Sequence, residues 1–149
     1  MKKCSKCRKE KPISEFIWFR TNKEYAHCSD CKEYIHTMER SIPAGIYVIK
    51  ERGKVIYVGE SDIPYRRRKE HFAKYKDWHS VKHKSELTKA IFRGELNVDD
   101  LTFEMIHENI DPGVKYSSER EKIERVEIEK YSPKYNLDKP NPNIKKFVK

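Results

Sequence analysis

The chain is poor in apolar residues. They make up 36% of its 149 positions, against 38% charged, so its cores must be small. No apolar run is long enough to span a bilayer, and no hydrophobic segment of the signal-peptide kind follows Lys2-Lys3. Both absences speak against a membrane partner and for a reducing, cytoplasmic setting. Repeats and low-complexity tracts are lacking too, which leaves one ordinary domain with a small appendage.

Cysteine is scarce, but its placement is informative. The four cysteines form two pairs, Cys4-x2-Cys7 and Cys28-x2-Cys31, twenty residues apart. This is close to the spacing of structural zinc sites. Four thiolates give tetrahedral zinc a closed shell with no position for water, so one structural Zn²⁺ per chain is expected. Two disulfides are the competing reading, and a cytosolic chain disfavours them. Between the pairs, Phe16-Ile17-Trp18-Phe19 and Glu24-Tyr25-Ala26-His27 flank a polar turn and suit a short hairpin. The second pair runs into a helix-like segment from Lys32 to Arg40. Knuckle, hairpin and helix resemble a treble-clef finger over residues 1–41, too small to fold well without metal. Ser41-Ile42-Pro43-Ala44 then breaks the helix.

Acidic residues are outnumbered, giving a net charge of +9, or about +7 once four thiolates and a Zn²⁺ are counted. The excess is uneven: +4 over residues 1–43, +6 over 62–94, −6 over 95–131 and +4 over 132–149. A basic chain of this size suits a polyanionic partner.

Two short strings stand ten residues apart, Gly45-Ile46-Tyr47 and Tyr57-Val58-Gly59. The apolar runs between them surround a charged centre and predict a β-hairpin. A three-residue loop of Glu51, Arg52 and Gly53 would pair Lys50 with Lys54, Ile49 with Val55 and Tyr47 with Tyr57, bringing both phenols to one face. A two-residue Arg52-Gly53 turn would send them to opposite faces. Beyond Gly59, Ser61 or Asp62 can cap a helix with Pro64 in its first turn. On that helix Arg67 and His71 are four apart and share a face. A second helix is expected over Ser85 to Phe92, a third strand over Leu101 to His107, and a last helix opening at a Ser118-x-x-Glu121 capping box. That helix carries Glu124, and Pro133-Lys134-Tyr135-Asn136 follows it. The expected class is α+β, a small antiparallel sheet of about three strands flanked by helices.

Tyr-x-Gly, arginine eight residues on, histidine four later, then a helical glutamate twelve residues before an asparagine: this ordered set resembles the GIY-YIG nucleases. The resemblance implies a nuclease domain over 45–137; beyond it, the prolines and lysines of residues 138–149 point to a basic extended tail. It implies a metal-dependent DNA endonuclease with Tyr47, Tyr57, Arg67, His71, Glu124 and Asn136 as catalytic residues. In it Glu124 binds Mg²⁺ or Mn²⁺, Arg67 holds the scissile phosphate, Tyr47 contacts the attacking water and Asn136 braces the site. By helical geometry alone Glu127 lies nearer the centre of the apolar arc, so the choice of Glu124 rests on the family's interval to Asn136. No second carboxylate clusters with Glu124 in sequence, which favours one metal. Arg66, Arg68, Lys69, Lys74 and His83 are expected to contact DNA. In the family branch used for nucleotide excision repair a lysine follows Tyr-x-Gly; here it is Glu60.

Small proteins pairing such a finger with such a domain resemble phage or mobile-element endonucleases, placing this one in a bacterial or phage-infected cell. The finger would assist DNA or partner binding. One centre cuts one strand at a time, so a double-strand break calls for a homodimer or two successive cuts. The rival reading is a non-enzymatic, zinc-dependent nucleic-acid-binding protein on a nuclease scaffold.

Overall fold

The computed structural model describes residues 1–137; the tail expected over 138–149 lies outside the described residues. The chain divides into two units, Met1–Ile42 and a second beginning at Pro43. Among the described residues no helix is long and apolar enough to cross a membrane.

The first unit is built around the cysteines. Strands β1 (Lys2–Lys3) and β2 (Glu10–Lys11) pair antiparallel and frame the first pair. A short hairpin of β3 (Ile17–Trp18) and β4 (Lys23–Glu24) follows, tighter than the apolar runs suggest, and α1 (Ser29–Ser41) starts from Cys28. Phe16, fully buried, packs with Cys4 and Cys28. The Trp18 ring meets Tyr25 and His36 edge-on, and its Nε1 donates to Glu33.

In the second unit a hairpin of β5 (Gly45–Glu51) and β6 (Lys54–Ser61) is followed by α2 (Pro64–Phe72), α3 (Trp78–Val81) and α4 (Glu86–Phe92). Strand β7 (Leu101–Glu108), α5 (Ser118–Tyr131) and α6 (Lys134–Leu137) complete it. The sheet is antiparallel with order β6-β5-β7. One face carries Tyr47, Ile49, Ile56, Tyr57, Phe103 and Met105 against Leu87 and Ala90 of α4 and Tyr135 of α6. The other carries Ile46, Val48 and Val58 against Ile123 and Ile128 of α5.

The hairpin register departs from the expected one. The turn has two residues, Arg52 and Gly53, both at positive φ (50° and 87°), and Glu51 pairs with Lys54. Such a turn alone would put the phenols on opposite faces. A bulge prevents this: Ile49 pairs with Tyr57 while Lys50 pairs with Val55, leaving Ile56 as the extra residue. Tyr47 then lies opposite Gly59 and diagonal to Tyr57 on the same face, ring centroids 6.2 Å apart. Two helix starts also shift. Ile63, without a side-chain cap, precedes α2, while Ser61 Oγ accepts from the Ile63 N–H at 2.9 Å. Ser117, one residue before the expected cap, accepts from the Arg120 N–H and opens α5.

Candidate active site and metal centre

Tyr47, Tyr57, Arg67 and Glu124 come from four elements, β5, β6, α2 and α5, and line one cavity of about 400 Å³. Glu60, Ser61, Asp62, Lys115 and Tyr116 complete its wall. Gly59 makes room for the first of these side chains. A Cβ there would stand 2.3 Å from Tyr47 Oη and 2.4 Å from Cζ. The ring cannot swing aside, because it stacks on Phe103 at 4.6 Å and its hydroxyl is 2.8 Å from His71 Nε2. Gly59→Ala is therefore expected to displace the phenol, costing about 1–3 kcal/mol of stability together with most of the activity. Thermal melts and a cleavage assay on the same preparation check this.

Electrostatics at the cavity follow from burial. Burial, then the neighbouring Tyr57, raises Tyr47 well above the ordinary phenol range, with Arg67 pulling the other way. Tyr57 is raised by burial as well, again opposed by Arg67. Burial disfavours the Arg67 charge, but a guanidinium keeps its proton at any ordinary pH, and the neighbouring Glu70 favours it further. Arg67 pairs with Glu70. His71 is fully buried; burial and the Arg67 charge push it down to about 3, so the imidazole is neutral. It touches the site through Tyr47 and does not line the cavity.

Glu124 is raised to about 7, first by burial and then by Glu60 and Glu121, although the Glu60 backbone N–H donates to it. A sheltered carboxylate with two acidic neighbours suits a hard divalent cation, which would relieve that repulsion. Glu127 points elsewhere and meets His107 Nε2 at 3.1 Å. The fold also brings Glu60 and Asp62 to the cavity, carboxylates that look remote from Glu124 in sequence. Asn136 is not in the cavity wall. Its Oδ1 accepts from the Val58 N–H at 2.7 Å and its Nδ2 donates to the Val58 carbonyl at 2.8 Å. Arg66, Arg68, Lys69, Lys74 and His83 are all exposed and outside the cavity wall.

Sequence reasoning overlooked Arg120. It is fully buried and spends all five N–H donors. Nε reaches Glu60 Oε2 at 2.8 Å; the terminal nitrogens reach the carbonyls of Ile110, Asp111, Val114 and Lys115. One side chain thus pins the loop carrying Lys115 and Tyr116 and ties it to the strand end at Glu60. The lone signal was Glu60 itself, an acid where the excision-repair branch has a base.

In the first unit the four Sγ atoms lie within 4.8 Å of one another, with Cys4–Cys31 at 3.8 Å and Cys7–Cys28 at 4.0 Å. Zn–S bonds of about 2.3 Å in a tetrahedron require sulfurs about 3.8 Å apart, so the set fits such an ion; all four cysteines are free of disulfides. Burial works against a Cys4 thiolate, but the N–H groups of Cys28, Cys7 and Lys6 bring it down to about 5. Lys11 Nζ lies 3.4 Å from Cys28 Sγ.

Residues 43–136 match the model of the GIY-YIG catalytic domain. The UvrABC system protein C of Fusobacterium nucleatum is 29% identical over 106 residues, covering 71% of this chain and 15% of that protein. The chain thus spans about a seventh of that relative. The crystal structure of the GIY-YIG N-terminal endonuclease domain of UvrC from Thermotoga maritima, a point mutant bound to its catalytic divalent cation, is 25% identical. It covers 69% of this chain and 94% of that one, with a TM-score of 0.38.

Proposed function

Since the chain belongs to the GIY-YIG family and carries its nuclease domain, we propose that it is a divalent-metal-dependent DNA endonuclease with one active centre per chain. The observation that carries this reading is the convergence of Tyr47, Tyr57, Arg67 and Glu124 on one cavity. Arg67, permanently charged and fork-shaped, holds the scissile phosphate. Tyr47, too reluctant an acid to ionise unaided, orients the attacking water by accepting its hydrogen, and Tyr57 shares that role. Glu124 would hold Mg²⁺ or Mn²⁺, which supplies positive charge for the phosphoryl oxygens. His71 supports Tyr47, and Asn136 holds the β6 backbone beside Tyr57. Arg66, Arg68, Lys69, Lys74 and His83 contact neighbouring phosphates, contributing to affinity and its salt dependence. The cysteine cluster holds one structural zinc, and its unit assists binding to DNA or to a partner. A homodimer would allow both strands to be cut.

The test is incubation of zinc-loaded protein with plasmid, duplex and branched oligonucleotides, with and without Mg²⁺. Cutting that requires Mg²⁺ or Mn²⁺, and that stops in mild EDTA while one zinc per chain is retained, is the expected result. Metal-independent cutting, or DNA binding with no cutting of any substrate, would sink the proposal; the second outcome would favour the non-enzymatic alternative.

A further inference from the structure

Behind Tyr47 runs a chain of hydrogen bonds, buried at His71 and Thr88 and half-buried at Ser85, whose direction follows once every contact in it is satisfied. One arrangement satisfies every contact: the His71 carbonyl, 3.4 Å from Thr88 Oγ1, only accepts, and satisfying it takes the one hydroxyl proton of Thr88. Thr88 Oγ1 also lies 2.9 Å from Ser85 Oγ. With its own proton spent it must accept, so the Ser85 hydroxyl donates. Ser85 Oγ in turn can only accept from its remaining partners, the Thr88 N–H and His71 Nδ1, both at 3.2 Å. His71 therefore carries its proton on Nδ1. An imidazolium here would be a buried cation beside the charged Arg67, and His71 is held neutral accordingly. Its Nε2 is a bare lone pair, 2.8 Å from Tyr47 Oη.

We propose that Ser85 and Thr88 are positioning residues that fix His71 as its Nδ1–H tautomer and so point the Tyr47 phenol proton inward, away from the cavity. The phenol oxygen then offers only acceptor lone pairs on the other side. Arg67, which can only donate, lines the same cavity and can take one of them. The other is left for a hydrogen of the attacking water. Were the relay reversed, the phenol would present a proton to that water and could not accept from it. The consequence for cleavage rests on the reading of Tyr47 given above, whereas the tautomer does not.

The experiment is two-bond ¹H–¹⁵N correlation spectroscopy of the full chain labelled at histidine, alongside cleavage kinetics. Wild-type His71 should show a protonated Nδ1 and a bare Nε2. Thr88→Val removes one hydroxyl at constant shape, and Ser85→Gly removes the other while keeping a residue suited to a helix start. Each should shift His71 toward the Nε2–H form and lower kcat roughly ten- to a hundredfold with KM little changed. If the glycine variant fails to fold, the valine variant carries the test. A wild-type proton on Nε2, or a pure Nδ1–H form retained in the folded variants, overturns the relay. A shifted tautomer with undiminished cleavage leaves the relay standing and removes Tyr47 from water orientation.

Discussion

Glu124→Gln is expected to lower cleavage by about a thousandfold or more while leaving DNA affinity nearly unchanged. On the proposed reading the substitution removes a hard anionic ligand at constant size, while the phosphate contacts assigned to Arg67 and the basic surface remain. Glu127→Gln is the matched control, since Glu127 meets His107 and lies outside the cavity wall. Its variant should cut normally. The pair also predicts a stability effect without any metal. The Glu124 carboxyl is held at about 7, above the value of 4.5 it would have unfolded. A carboxyl raised in this way supports folding while protonated, and that support is lost as pH rises through its folded pKa. In EDTA, Glu124→Gln should therefore gain stability relative to wild type between about pH 5 and about pH 8. Thermal melts across that range read the difference. Parallel pH profiles would mean that Glu124 is not strained by its surroundings, and a dead Glu127 variant beside a live Glu124 variant would reassign the ligand.

Removing Arg120 should have the largest effect on stability. Arg120→Met leaves the Glu60 carboxylate without its partner and four carbonyls short of a donor, at a cost of about 3–5 kcal/mol. In a domain of this size that corresponds to a fall in Tm of more than about 10 °C. Glu60→Gln, which keeps an acceptor for Nε, should lose much less. Glu60→Lys should be about as damaging as Arg120→Met, because it sets a cation against a buried guanidinium, even though a lysine at that place is ordinary in the excision-repair branch. Denaturation of the three variants tests this. A Glu60→Lys protein as stable as wild type would show that the loop is held by the carbonyl contacts alone.

Much of this site is legible in the chain because its chemistry sits on short-range patterns. The hairpin announces itself through β-branched runs, Arg67 and His71 through helical spacing, and the cysteine cluster through two Cys-x2-Cys pairs. What is not legible depends on a single residue of slippage or on partners far away. The shared face of Tyr47 and Tyr57 was expected from a three-residue loop; it arises instead from a two-residue turn plus a bulge at Ile56, two irregularities whose effects on parity cancel. Arg120 sits in a Glu-rich helix where an arginine reads as solvated, and its main partner Glu60 lies sixty residues earlier. On a helical wheel Glu127 looks better placed than Glu124. The end of β6 distinguishes them, because Glu60 and Glu124 share the cavity wall and Glu127 lies outside it.

The amide of Asn136 has a consequence beyond bracing. Among the described residues strand β6 has β5 on one side only, and an open strand invites pairing with another chain. By taking both the N–H and the carbonyl of Val58, Asn136 occupies a rung that an incoming strand would need. Strand exchange, fibril growth and sheet-to-sheet dimerisation are all hindered along that border. Two copies acting on one duplex would therefore meet through other surfaces, and loss of the Asn136 side chain should appear as self-association before it appears as unfolding.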